Sequence, residues 1–445
     1  MVNSSGIKPG PLSGVRALEL AEIWAGPFCG SLLADMGAEV IKVEAIQRIA
    51  RGPIRPRPGT SGYPDGEPGE RPWNRNANFN VLSRSKQGIT LDLTTSDGAE
   101  TFKELVNVSD VVFTNYAFGV MDKFGLGYEE LRKVKPDIIA LFTPGYGNTG
   151  PYRTFRSMGM VIDAITGHTA LRGYPDMEIS RNSLVHHPDA VAGATAVFSI
   201  CLAIHNRART GKGQFIDLSQ AEAFMPHLGE VYLEHSLVGT PRSRRGNRHP
   251  AMAPHGTYPC AGDDEWVAVS VQSDEQWREM CQAMQMPQLA HHPDFETLPA
   301  RLRNQDELDL IISRWTREMS RYQVANLLQE YGIATGPVLD CGGDTYDNPH
   351  LQDRGYFQAV DHSDAGVHLL SGPIWRMHNR PEVRHEPAPG LGQHNEDVLG
   401  DLMGLSHSRL AELEATRIIG TVPLDGADMG GVRRARERGL SSSDS

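Results

Sequence analysis

The sequence predicts an α/β protein: a large domain with a doubly wound parallel sheet, and a smaller α+β domain in the middle of the chain. Three observations carry this expectation. Residues 15–20 and 38–44 read as apolar strands on either side of a helix at 28–36, and strand–helix–strand in about 30 residues is a right-handed βαβ unit. Strand and helix patterns then alternate to about residue 143, as a sheet covered on both faces requires. Residues 226–334 bring a strand and helices of their own, the second core expected of a chain of 445 residues.

In order, the first strand turns at 25–27 (AGP), and the first helix stops at Gly37. Glu44 closes the second strand where a dinucleotide-binding fold keeps its ribose carboxylate. The turn at 22–27 (EIWAGP) lacks the glycines that admit a pyrophosphate, so no NAD site is expected there. Residues 48–78, rich in Pro, Gly and Arg, read as one long irregular loop. A strand follows at 88–93 (GITLDL), then a helix at 96–106 capped by Ser96 or Asp97, and a strand at 110–114. Helical stretches at 121–124 and 128–134 precede a strand at 138–143. Ligands of such sheets sit beyond the carboxyl ends of strands, so the loops after Leu20, Glu44, Thr114 and Thr143 are the candidate site walls. The literal GxGxxG at 145–150 (GYGNTG) runs straight into Pro151 with no long apolar helix behind it, and reads as a turn-rich loop.

A helix at 157–169 and a loop at 171–185 lead to 186–194 (HHPDAVAGA). Here Asp189 opens an apolar helix that runs to about 204 and ends in 209–214 (RTGKGQ) and a short strand at 215–218. Asp189 is either an N-cap or a nucleophile at a helix mouth; residue type alone leaves both open. A helix at 222–237 leaves the large domain, and Arg242, Arg244, Arg245 and Arg248 form a solvated basic loop or an anion contact. The middle section holds a strand at 265–271 and helices at 274–284, 304–319 and 322–331. Short strands and turns recur over 336–384, a last helix covers 396–405, and residues 421–445 read as a disordered tail.

Composition excludes several functions. A net charge of −12 argues against a nucleic-acid or anionic-membrane surface. Five scattered cysteines without a CxxC pair fit a reducing compartment, and no signal-peptide pattern is expected at the start, so the cytoplasm is the expected location. No apolar run approaches the roughly 20 residues of a membrane span. Neither His186-His187 nor His291-His292 has metal spacing, and both pairs read as surface or structural. Cys29, Cys201 and Cys260 read as inert thiols.

A series of ordered motifs goes further: 14–20 (GVRALEL), 25–28 (AGPF), 32–44 (LLADMGAEVIKVE), 85–86 (SK) with 89–93 (ITLDL), and 109–112 (SDVV) with 115–116 (NY). It continues with 125–129 (GLGYE), 145–151 (GYGNTGP), Asp189 with 210–214 (TGKGQ), 254–256 (PHG), Trp266 and 391–395 (LGQHN). In their order and spacing over residues 11–420 the chain resembles the class III (CaiB/BaiF-type) CoA-transferases of the formyl-CoA transferase-like superfamily. The resemblance implies a large Rossmann-like domain built from 11–225 and 335–420, a small domain at 226–334, and a homodimer interlocked like two rings. It implies acyl-CoA and carboxylic acid substrates, no tightly bound cofactor, and Asp189 as the carboxylate nucleophile. Carried over, the coenzyme A pocket uses Ile23 and Trp24 after the first strand, Lys86 near the adenine, Asn115 and Tyr116 after the fourth, and Lys123 and Phe124 one turn on. Arg48 and Arg51 are the candidates for the coenzyme A phosphates. The glycine-rich flap of formyl-CoA transferase is replaced by 248–253 (RHPAMA), which leans toward acyl groups larger than oxalate. A racemase of the same family needs a histidine in 157–163 (SMGMVID), where none stands. A dehydrogenase using GYGNTG and a non-catalytic CoA-binding protein complete the alternatives.

Overall fold

A computed structural model describes residues 10–52, 59, 61–378 and 383–427. Its centre is a six-stranded parallel sheet made of β1 (Arg16–Leu20), β2 (Glu39–Glu44), β3 (Gln87–Thr90), β4 (Val111–Thr114), β5 (Ile139–Phe142) and β6 (Gln214–Asp217). The spatial order β3-β2-β1-β4-β5-β6 reverses direction between β1 and β4. Strands β4 and β5 are buried at every position, which is why they read as unbroken apolar runs rather than alternating ones.

Alternate residues feed two cores. Leu18, Leu20, Ile41, Val112 and Ala140 point to one face, where Phe102 and Leu105 and the C-terminal residues Val398, Leu399, Leu413 and Ile418 cover them. Ala17, Val40, Val111, Phe113 and Ile139 point to the other, under Cys29, Leu32, Leu33, Ala196 and Ile200. Each fully buried leucine or isoleucine of this kind contributes about 1.5–3 kcal/mol.

In chain order the helices of the first half are α1 (Ala25–Asp35), α2 (Pro72–Arg75), α3 (Ala77–Leu82), α4 (Ser96–Asn107), α5 (Val120–Lys123), α6 (Tyr128–Val134), α7 (Gly159–Ile165), α8 (His168–Leu171) and α9 (His187–Thr210). The cap of α4 is Thr95, whose hydroxyl accepts from Gly98 N–H, rather than Ser96 or Asp97. The expected long loop is broken by α2 and α3, with Asn76 capping α3 through Phe79 N–H. The single helix expected at 157–169 divides at Gly167, whose φ of +83° ends one helix and starts the next.

Helix α9 is 24 residues long and apolar enough by length and composition to cross a membrane, which the run-length reading did not register because Ser199, His205 and Asn206 interrupt it. It lies against α1. A Cβ at Gly193 would fall 2.7 Å from Ala25 O and 2.9 Å from Phe28 Cδ1, so only glycine permits this approach. Helices α10 (Gln220–Phe224) and α11 (Gly229–Val238) replace the one helix expected at 222–237; between them Pro226 enters a 3₁₀ turn, Met225–Leu228.

A second compact unit comprises residues 167–183 and 231–352. It contains the antiparallel sheet of β7 (His255–Pro259), β8 (Trp266–Ser270) and β9 (Ala334–Pro337), with α12 (Asp274–Ala283), α13 (Leu298–Arg303), α14 (Gln305–Thr316), α15 (Arg321–Glu330) and α16 (Gly343–Tyr346). Trp277, Met280, Leu308, Ile312 and Leu328 fill its core. The boundary expected at 334 falls inside this unit because β9 pairs with β8. Strand β7 and helix α13 carried no sequence signal. Short HGTYP ends in proline, and the apolar content of LPARLR is two leucines and an alanine.

The first unit resumes as α17 (Pro349–Asp353) ends and adds a hairpin, β10 (Phe357–His362) with β11 (Gly366–Ser371). The last helix is not the one at 396–405. That stretch is a π-helical segment, Glu396–Leu402, followed by α18 (His407–Ala415). The first residues of the expected disordered tail are packed instead: Leu424 N–H bonds Ile46 O at 2.9 Å and Ala427 packs beside Ile46, Ile49 and Leu391. Residues 428–445 lie outside the described residues.

Candidate active site

The strand order reverses between β1 and β4, and the carboxyl ends of strands at such a reversal are where open α/β sheets hold ligands. Side chains stitch these two strand ends together. Thr114 Oγ1 donates to Leu20 O at 2.7 Å and accepts from Tyr116 N–H at 3.0 Å. Asn115 donates from Nδ2 to Glu22 O at 2.7 Å and accepts on Oδ1 from Glu22 N–H at 2.9 Å. Both polar ends of Asn115 thus hold the turn after β1. The next residue, Ile23, stands at φ +67°, which is strained for a β-branched side chain, and it is 36% exposed. Such strain persists only where neighbours over-determine it, as the Asn115 bonds do here.

Trp24 follows as the N-cap residue of α1, its ring 5.0 Å from Phe28 and 6.0 Å from His186. His186 is in turn the N-cap residue of α9, so Asp189 is the third residue of that helix and not its cap. Residues three apart at a helix start share a face, and positive charge on His186 acts to lower the Asp189 carboxyl. Burial pushes the Asp189 carboxyl above its usual range, while His186 and a bond from its own backbone N–H pull the other way. Gly159, the first residue of α7, backs onto this carboxylate; a Cβ there would fall 2.0 Å from Asp189 Oδ2.

Arg48 pairs with Glu22 and keeps its side chain 36% exposed. Tyr116 lies close enough to feel that charge, although burial pushes its hydroxyl up to about 12. Phe124 packs on the core cluster of its face, and Lys123 is exposed at the end of α5.

Two expected pocket residues face elsewhere. Lys86 is wholly enclosed and spends its three donors on Glu19 Oε2, Pro27 O and Leu82 O, each at 2.7 Å, so nothing remains for an adenine. Arg51 is equally enclosed. It holds Glu44 with both ends of its guanidinium, donates to Asn74 Oδ1 and Pro389 O, and stacks 3.9 Å over Phe79. Of the two arginines, Arg48 alone keeps an exposed side chain that a phosphate can reach.

The loop after β5 is a built turn. Asp217 accepts from Asn148 N–H and Nδ2, Gly147 takes φ +78°, and Tyr146 packs on Tyr152 and Phe155. In the second unit two arginines of the basic segment are ion-paired, Arg242 with Glu234 and Arg248 with Asp306 and Asp309, and Arg244 donates to Met177 O. Cys29 is buried and its thiol pushed well up, with Glu19 adding to the effect. Among the described residues no group of three His, Cys, Asp or Glu side chains is placed to hold a metal ion.

The six-stranded parallel sheet is the α/β fold that the sequence motifs imply, and the family model for CoA-transferase family III matches residues 12–395. The chain belongs to CoA-transferase family III. The transferase is 36% identical over 417 residues to the succinyl-CoA–D-citramalate CoA-transferase of Chloroflexus aurantiacus, covering 94% of this chain and 100% of the relative. It is 30% identical over 413 residues to the β subunit of succinyl-CoA–L-malate CoA-transferase from the same organism, covering 92% and 98%. Among solved structures, a CaiB/BaiF family protein from Brucella suis superposes with a TM-score of 0.77 at 30% identity, covering 89% of this chain and 100% of that one.

Two residues beside Asp189, His186 and Gly159, carried no expectation of a role at the site in the sequence. His186 was set aside because adjacent histidines point apart, an argument that concerned metals and not a partner three residues on. Gly159 stands in the segment 157–163, whose only expected chemistry was a racemase histidine. No sequence signal marks it, since its role is to be small beside a carboxylate distant in sequence.

Proposed function

We propose that the enzyme moves coenzyme A from an acyl-CoA donor to a carboxylic acid through covalent intermediates on Asp189. The observation that carries this is the surroundings of that carboxylate: first turn of a long helix, backed by a glycine, next to the turn holding Ile23 and Trp24. In the proposed sequence Asp189 attacks the thioester carbon, the C–S bond breaks, and coenzyme A leaves as thiolate while Asp189 and the donor acyl group remain joined as a mixed anhydride. The thiolate attacks the γ-carbonyl of Asp189 and expels the donor acid, leaving an aspartyl-CoA thioester. An acceptor carboxylate then attacks that carbonyl, and the released thiolate captures the acceptor acyl group and frees Asp189. One hard exchange becomes several easier ones. The helix N-terminus supplies partial positive charge to the oxyanions that form.

The named relatives act on succinyl-CoA with a hydroxylated dicarboxylic acid, and we extend that substrate class to this enzyme. Arg48, Tyr116, Lys123, Phe124, Ile23 and Trp24 are the residues we assign to coenzyme A. We also assign the working unit to two copies of the chain: Phe198 and Leu202, four apart on the outer face of α9, are 64% and 52% exposed.

Hydroxylamine added to enzyme and acyl-CoA tests the covalent reading. A hydroxamate on the peptide carrying Asp189 is expected; an unmodified peptide contradicts it. His186 next to Asp189 revives the racemase alternative enough to need its own control. Incubation of a 2-methylacyl-CoA in heavy water without acceptor acid is expected to leave the α-hydrogen unexchanged.

A further inference from the structure

Glu19 lies in the middle of the sheet, yet two lysines converge on it. Its Oε1 accepts from Lys42 Nζ and its Oε2 from Lys86 Nζ, both at 2.7 Å, and all three side chains are buried. Helix α1 makes room for them with Gly30, where a Cβ would fall 1.9 Å from Glu19 Oε2 and 2.9 Å from Lys86 Nζ. Two ammonium groups on one carboxylate leave an excess positive charge in the interior. Such a charge is costly, and one lysine would neutralise Glu19.

The additional bonds show what the excess accompanies. Lys42 Nζ donates to Ala21 O and Lys86 Nζ to Pro27 O, each at 2.7 Å. Ala21 opens the turn that contains Ile23 and Trp24, Pro27 lies in the first turn of α1 that follows it, and Asn115 already holds Glu22 between them.

We infer that Glu19, Lys42 and Lys86 are positioning residues for acyl-CoA binding: a buried clamp that fixes Ala21 before, and the first turn of α1 after, the segment carrying Ile23 and Trp24. The inference rests on the assignment of Ile23 and Trp24 to coenzyme A. Lys86 is the sensitive part of the clamp. Burial pushes its ammonium down to about 8, with Glu19 opposing that shift and Lys42 and Arg84 reinforcing it. Glu44 also feels its charge, and the neighbouring Cys29 thiol is held neutral by burial. Loss of the proton leaves an amine with two donors for three acceptors, so one carbonyl is let go.

The test uses the full chain and an acyl-CoA whose thiol is blocked by the acyl group. In the unaltered enzyme KM for acyl-CoA, followed from about pH 6 to about pH 10, is expected to rise above about 8 while KM for the acceptor acid stays level. Lys86→Met leaves the neutral Glu19–Lys42 pair. It is expected to raise KM for acyl-CoA about tenfold, keep kcat at saturation, and abolish the alkaline rise. A KM that is flat with pH, or unchanged in Lys86→Met, overturns the clamp; if Lys86→Met does not fold, the pH profile of the unaltered enzyme decides. Hydroxamate formation on Asp189 at saturating acyl-CoA, measured on the same preparations, separates failure of the clamp from failure of the nucleophile.

Discussion

Glu44 and Asp189 are both carboxylates near the rim of the same sheet, and their surroundings are opposite. Glu44 accepts from both ends of the Arg51 guanidinium, and although burial works against it, Arg51 holds its carboxyl below the usual range. Asp189 has burial without a matching cation, only His186 at the helix start, and its carboxyl is held above the usual range. A carboxylate saturated by partners is stable and unreactive. One that is desolvated and under-compensated is a better nucleophile and a liability to the fold. The difference teaches that residue type at the sheet rim does not separate structure from chemistry; the number of partners does.

The comparison breaks most sharply at the two residues themselves. Asp189→Ala is expected to lower the acyl-exchange rate by about 10⁴-fold or more, with acyl-CoA binding retained in a direct binding assay. Arg51→Met, by contrast, strands a buried Glu44 and is expected to lose about 3–5 kcal/mol in urea unfolding, while the folded fraction keeps its kcat. If Asp189→Ala instead destabilised the fold and left exchange intact, the two roles would be reversed.

Gly159→Ala sharpens the contrast on the reactive side. Its methyl group has no space beside Asp189 Oδ2, so kcat is expected to fall about 100-fold. Stability is expected to move by no more than about 1 kcal/mol, since alanine favours the helix.

The pH dependences run in opposite directions. Glu44 has a lowered folded pKa, so its contribution to stability is present above the ordinary value of 4.5 and is lost as pH falls through the folded value. Asp189 has a raised folded pKa, so its contribution to stability is full below the ordinary 3.8 and is lost as pH rises through the folded value. Activity follows the ionised Asp189 and is expected to fall as pH drops through that raised value. His186→Gln removes the charge that opposes the rise, and so shifts the acid limb of kcat/KM to higher pH. This is the smallest of the expected effects, and a pH–rate profile of both proteins reads it.

Much of this was legible in the sequence. Buried parallel strands announce themselves as apolar runs, so β1, β2, β4 and β5 were found to within a residue or two. Asp189 stood out as a carboxylate at the mouth of an apolar helix, but residue type there left cap and nucleophile both open, and only the family resemblance pointed to the nucleophile. What was not legible depends on enclosure. Arg48 and Arg51 sit three residues apart in the same polar segment, and nothing in the chain says that one is exposed and the other is walled in by Phe79, Asn74 and Pro389. Lys86 carried a binding expectation and turned out to hold up the turn from beneath. Thr95 outcompeted Ser96 as a cap through one hydrogen bond. These choices are made by residues distant in sequence, and a local pattern has no access to them.

The measurement that tests the central claim most directly is oxygen transfer. The enzyme is cycled with unlabelled acyl-CoA and an acceptor acid whose carboxylate carries oxygen-18, and the peptide containing Asp189 is weighed. Attack of the acceptor on an aspartyl-CoA carbonyl leaves one of its oxygens on Asp189, so the account predicts labelled peptide after turnover. An unlabelled Asp189 after many turnovers would contradict it.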